Sequence, residues 1–93
     1  MKIVCVCGLG MGSSLILKMT VDKALTQLGV KDFEIEHWAA GTVDGMNADI
    51  IVASPDFEEE FSRKDNVVYI KNIVSNNEAK EKMAEYLTRK GLL

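Results

Sequence analysis

The sequence predicts an α/β fold, a three-layer sandwich in which a four-stranded parallel sheet carries helices on both faces. Three observations predict it. Short Val- and Ile-rich runs recur along the chain, stretches of helical periodicity follow three of them, and a glycine-rich turn joins the first run to the first helix. Alternating strands and helices favour parallel pairing with right-handed crossovers, because each helix returns the chain to the starting edge of the sheet.

The first run, Lys2 to Cys7, is almost continuously apolar, as a strand buried on both faces must be. After Gly8-Leu9-Gly10-Met11-Gly12-Ser13-Ser14, the residues Leu17, Val21, Ala24 and Leu28 recur at helical spacing, and Gly29 is a natural stop. Phe33 to Trp38 alternates apolar with polar residues, which predicts a half-exposed strand at the sheet edge, ended by turn residues Gly41, Asp44-Gly45 and Asn47. Ala48 to Ala53 predicts a third strand. Ser54-Pro55-Asp56 and Glu58-Glu59-Glu60 then supply a cap, a first-turn proline and early acids for a short helix. Val67 to Ile70 predicts the fourth strand, and Ser75-Asn76-Asn77-Glu78 has capping-box spacing before a last helix through Ala79, Met83, Tyr86 and Leu87.

With 93 residues, one domain spanning 1–93 is expected, since a shorter unit would bury too little apolar surface. The composition, 47% apolar and 27% charged, is that of a packed domain, and a net charge of -3 offers no basic field for nucleic acid. No apolar run approaches the roughly 20 residues of a membrane-crossing helix. If the protein serves transport, another chain holds the pore. Met1-Lys2-Ile3-Val4 leads directly into the cysteine-glycine segment without the pattern of a signal peptide, so a cytoplasmic location is expected. Cys5 and Cys7 are too close along a strand for an easy disulfide and lack companions for a zinc site, so reduced thiols are expected, with no metal and no cofactor.

Chemistry points to Cys7. A glycine-rich turn between a buried strand and a helix gathers backbone N–H groups in one concavity, where the helix dipole adds positive charge, and that makes an anion site. Gly8, Gly10 and Gly12 leave room for an oxyanion, and the hydroxyls of Ser13 and Ser14 add donors. A cysteine opening such a turn is favoured as thiolate, and the amides that hold the sulfur negative can hold the equatorial oxygens of a phosphoryl group. A dinucleotide fingerprint requires a third glycine where Ser13 stands, and a Walker loop requires Gly-Lys-Ser/Thr, which is absent.

The segment from Cys7 to Ser14 resembles the phosphorylation loop of enzyme II B components of the bacterial phosphotransferase system. Lys18-Met19-Thr20-Val21-Asp22 and Ala48-Asp49-Ile50-Ile51-Val52-Ala53-Ser54 are similar to the ascorbate branch of the lactose/ascorbate-type B components. The resemblance implies a phosphocysteine at Cys7, with Gly8, Leu9, Gly10, Met11, Gly12, Ser13 and Ser14 around the phosphoryl group. It further implies a phosphohistidine donor on an A component and a carbohydrate acceptor, ascorbate, bound by a membrane C component. A fainter resemblance links the fold and loop to low-molecular-weight tyrosine phosphatases, whose loop ends in an arginine where this chain has Ser13. Without that bidentate clamp, hydrolysis is disfavoured and a carrier role is favoured.

Two alternatives stand beside the carrier: a small phosphatase-like hydrolase, and a thiol redox or regulatory module using Cys5 and Cys7. Cys5 reads as core packing rather than a resolving thiol. His37 reads as a surface histidine without partners at ligand spacing, and Trp38 as either a packed or a partner-facing aromatic. Asp56 reads as a first-turn charge partner of the acidic helix rather than a general acid, and Glu58 to Glu60 as a solvated face. Leu9 and Met11 either rim the thiolate or pack inward.

Overall fold

The structure, a computed structural model, describes residues 1–7 and 11–92, and the side chains of all of these except Met11 and Asp44. The elements are β1 (Lys2–Val6), α1 (Met11–Gln27), β2 (Glu34–His37), a 3-10 helix (Ala40–Gly45), β3 (Ile50–Ala53), a second 3-10 helix (Pro55–Phe57), β4 (Val67–Tyr69) and α2 (Asn76–Arg89). All strand pairs are parallel, in the order β2-β1-β3-β4. The alternating strand β2 lies at an edge, as predicted, and the continuously apolar β1 and β3 are the central pair.

The order fixes the layers. β1 connects to β2 toward one edge, whereas β2 to β3 and β3 to β4 run toward the other. Right-handed crossovers therefore deliver these connections to opposite faces. On one face Ile3, Cys5, Ile50, Val52, Val68 and Ile70 pack against Leu17, Val21, Ala24 and Leu25 of α1 and Ala79, Met83 and Leu87 of α2. On the other, Val4, Val6, Ile51 and Ala53 pack under Val43 of the first 3-10 helix and under Phe61, with Phe57 beside it. Both faces are covered, but α-helices build one cover and 3-10 turns the other.

The short helix predicted after β3 is the main difference. Ser54 precedes Pro55 in extended conformation but makes no side-chain cap bond, and the regular segment ends at Phe57. One α-type bond follows, from the Phe61 N–H to the Phe57 carbonyl, with the two rings stacked at 5.6 Å. These two rings are its apolar anchors, too few to bury the face of a longer helix, whose stability comes mostly from such packing. The turn-rich stretch after β2 instead winds into the first 3-10 helix, pinned by buried Val43.

Both α-helices stop as glycine allows. Gly29 and Gly91 have φ of +84° and +75°, and the N–H groups of Val30 and Leu92 reach back to the carbonyls of Leu25 and Leu87. This six-to-one bond closes a helix only where the preceding residue enters the left-handed region.

Candidate functional site

In open parallel sheets a crevice forms beyond the carboxyl ends of two neighbouring strands whose connections leave to opposite faces. β1 and β3 are such a pair here. Val6 pairs with Ala53, and the Ser54 N–H donates to the Val6 carbonyl at 3.3 Å. Beyond that pair, Cys7 and Ser54 line one cavity of about 360 Å³ with Pro55, Asp56, Lys71, Asn72 and Ile73. Cys7 retains 9% of its surface and lines this cavity.

Met11, Gly12, Ser13 and Ser14 form the first turn of α1, so the helix begins earlier than its apolar stripe predicts. The remaining phosphate-loop residues expected from sequence, Gly8, Leu9 and Gly10, lie outside the described residues, as does the side chain of Met11. An α-helix leaves its first-turn amides to partners outside itself, and no acidic side chain occupies the first turn of α1 to compete for them. Seventeen residues of helix direct their dipole toward the end of β1.

The wall opposite Ser54 is tied down by two helices. Glu78 of α2 accepts the N–H groups of Lys71 at 2.7 Å and Asn72 at 2.9 Å, while Thr20 of α1 donates to the Ile73 carbonyl at 2.6 Å. Burial acts to raise the Glu78 titration, but those two amides and the Lys82 ammonium at 3.0 Å outweigh it and hold the carboxyl below its ordinary range. Only half of the predicted capping box forms. Ser75 accepts the Glu78 N–H at 3.2 Å, whereas the Glu78 carboxylate is diverted to the Lys71-Asn72 turn.

Cys5 is fully buried in the core, and desolvation pushes its thiol up to about 12 despite the attraction of Lys18. It lacks the access and thiolate character that a resolving thiol needs. Asp56, expected as the charge partner of a helix dipole, stands instead in a three-residue 3-10 turn and lines the Cys7 cavity.

His37 is not a free surface histidine. Its Nδ1 lies 3.1 Å from the Oγ of Ser14, which is itself 1% exposed. Sequence reasoning missed this contact because the two residues are 23 apart and share no local pattern. Lys71 and Asn72 were missed for the same reason. Leu15, Ile16 and Met19, off the buried stripe of α1, are exposed together with Val74 and Trp38. The Thr20–Ile73 bond brings that apolar turn of α1 alongside the 71–74 segment at the cavity edge.

Residues 2–85 match the family described as "PTS system, Lactose/Cellobiose specific IIB subunit". This chain belongs to that IIB family. Among its relatives, the ascorbate-specific PTS system EIIB component of Mycoplasma pneumoniae is 33% identical, covering 94% of this chain and 95% of the relative. The protein of the same description from Salmonella typhimurium is 38% identical, covering 92% and 88%. The lactose-specific IIB domain of Streptococcus pneumoniae superposes with a TM-score of 0.66 at 18% identity, over 92% of this chain and 96% of that one, and so shares the IIB fold. Among the described residues, no helix of this IIB chain is long and apolar enough to cross a membrane, and no cluster of three or more His, Cys, Asp or Glu could hold a metal.

Proposed function

We propose that this IIB chain is a phosphoryl carrier of an ascorbate-type phosphotransferase system, acting as one domain over residues 1–93 in the cytoplasm beside a membrane C component. The observation that carries this reading is the position of Cys7 at the β1–β3 crevice, before the amino end of a long helix with no acid in its first turn. The Cys7 thiolate attacks phosphorus in the phosphohistidine of an A component. The S–P bond forms as the P–N bond breaks, and the imidazole nitrogen leaves with the electron pair. The carbohydrate oxygen then attacks the same phosphorus, its proton passes to a base on the component that binds the sugar, and the thiolate departs with the S–P pair.

Amides and hydroxyls from Gly8, Leu9, Gly10, Met11, Gly12, Ser13 and Ser14 hold the phosphoryl oxygens in this reading, and Lys71 adds positive charge across the cavity. The apolar surface of Leu15, Ile16, Met19 and Val74 gives the two partner proteins a seat beside the thiol. Ascorbate as cargo is supported by the descriptions of the relatives above 30% identity.

Intact-mass measurement after incubation with the phosphorylated A component tests the mechanism. One phosphate adduct is expected, mapped to Cys7 and absent from Cys7→Ser. Steady release of phosphate from an aryl ester, with no adduct accumulating, would instead identify a hydrolase.

A further inference from the structure

Glu78 stands in the first turn of α2, where a glutamate three residues after a serine cap ordinarily turns back to the N–H of the cap itself. Its oxygens instead leave the helix and take one loop amide each, Oε2 that of Lys71 at 2.7 Å and Oε1 that of Asn72 at 2.9 Å. Lys82, one turn further along, holds the same carboxylate at 3.0 Å and also donates to the Tyr69 carbonyl at 2.7 Å, where β4 ends. Beyond that turn, the Val74 N–H donates to the Asn72 side chain, the Ser75 N–H to the Asn72 carbonyl, and Thr20 to the Ile73 carbonyl. The exit of β4 is thus held by a chain of bonds as it passes the Cys7 cavity.

Among the described residues that line this cavity, Lys71 is the one cation and Asp56 the one anion. With the N–H groups of Lys71 and Asn72 already given to Glu78, the Lys71 ammonium is what this turn has to offer an anion. A lysine carries its charge on a flexible four-carbon stem, so the place of its backbone decides where that charge is concentrated. We infer that Glu78 is a positioning residue for the anion site: its carboxylate holds the Lys71–Asn72 turn so that the Lys71 ammonium faces the Cys7 cavity. The inference rests on the reading of that cavity as the phosphoryl site and of Lys71 as its cation. Positioning and simple field have opposite signs here. Glu78 is itself an anion, so by its field alone its removal would help another anion to approach Cys7, whereas loss of its hold on Lys71 would hinder it.

Alkylation of Cys7 by iodoacetate and by iodoacetamide reads that sign without any partner protein, with fragment mass separating Cys7 from Cys5. The carboxylate of iodoacetate probes the anion site, and the neutral amide serves as reference. The ratio of the two rates, taken against the same ratio in urea, is the preference, and a wall that merely loosens changes both rates and leaves their ratio. The wild type is expected to favour iodoacetate, less so as salt rises. Lys71→Gln should lower the preference about threefold, the effect of one partly exposed charge. Glu78→Ala, although it removes an anion, should lower it by a similar factor, and should lower it no further in the Lys71→Gln background. Glu78→Asp keeps the negative charge and the first-turn helix acid but is one methylene too short for both amides, so it too should fall below wild type.

A preference at or above the wild-type value in Glu78→Asp, or in a Glu78→Ala protein that remains folded, overturns the inference. A further loss when Glu78→Ala is added to Lys71→Gln overturns it too, since Glu78 would then act other than through Lys71. An unchanged preference in Lys71→Gln removes Lys71 as the cation, and the role of Glu78 with it, while the anion site stands. A wild type with no preference for iodoacetate removes the anion site itself, so the failures are told apart.

Discussion

Cys5 sits among Ile3, Leu17, Val21 and Val52 with no exposed surface, and a thiolate there would lose its hydration without a compensating partner. In the unfolded chain the same thiol titrates at about 8.5. The folded value, about 12, is higher, so the folded state holds the proton over the interval between them. The resulting stabilisation is fully present below the unfolded value and is lost as pH rises through the interval, by at most about 1.4 kcal/mol per pH unit. Urea unfolding between neutral and strongly alkaline pH should show this decline, and Cys5→Ala should lack it. Tyr69 and Tyr86 are also pushed upward by burial, so the difference between wild type and variant is the informative quantity. A difference that does not change with pH would refute the assignment. The burial of Cys5 in the core was legible in sequence, because it stands inside the apolar run of β1 rather than at the glycine turn. The contact of His37 with Ser14 was not, since it joins a strand end to a helix 23 residues away in sequence.

Helix α1 illustrates why element boundaries near a site mislead. Its apolar stripe begins at Leu17, yet the helix begins at Met11 and takes in Gly12, Ser13 and Ser14, residues that score as loop formers. A poor helix former in a first turn has a reason to be there. A Cβ built on Gly12 meets nothing within 4 Å, so packing does not demand glycine, and its φ is not among the positive ones. Gly12→Ala should therefore stabilise the protein by up to about 1 kcal/mol through helix propensity. If the space above Gly12 is reserved for phosphoryl oxygens, the same change slows labelling of Cys7 by the A component. Thermal unfolding and labelling rates measured on one preparation decide the matter. A more stable variant with undiminished labelling would mean that Gly12 lies outside the phosphate site. The predicted capping box had a similar double use: its spacing correctly marked the start of α2, but its glutamate braces the 71–72 turn, a task with no local signature.

At the scale of the molecule, the alternation of strands and helices made the parallel sheet legible, and the edge position of β2 followed from its half-polar pattern. The unequal covering was not legible, because Val43 and Phe61 are isolated apolar residues that carry no period. That inequality has a consequence for the site. The Lys71–Ile73 wall is tied to both α-helices by Thr20 and Glu78, whereas the Ser54–Asp56 wall leads into the thinner 3-10 layer. Regions with few buried contacts open at lower free energy than the core they cover. Amide hydrogen exchange should therefore be fastest, among hydrogen-bonded groups, in Ala40–Gly45 and in the turns from Phe57 to Lys64, and slowest in β1, β3 and the buried turns of α1 and α2. Core truncation should follow the same division. Met83→Ala, which opens a hole between α2 and the sheet, should cost about 2–5 kcal/mol, and Val43→Ala less. Equal protection of both layers would show that the fold opens as one unit. Faster exchange in the 3-10 layer would identify the Ser54–Asp56 side as the wall that can give way when a partner protein seats over Cys7, against a fixed Lys71–Ile73 side.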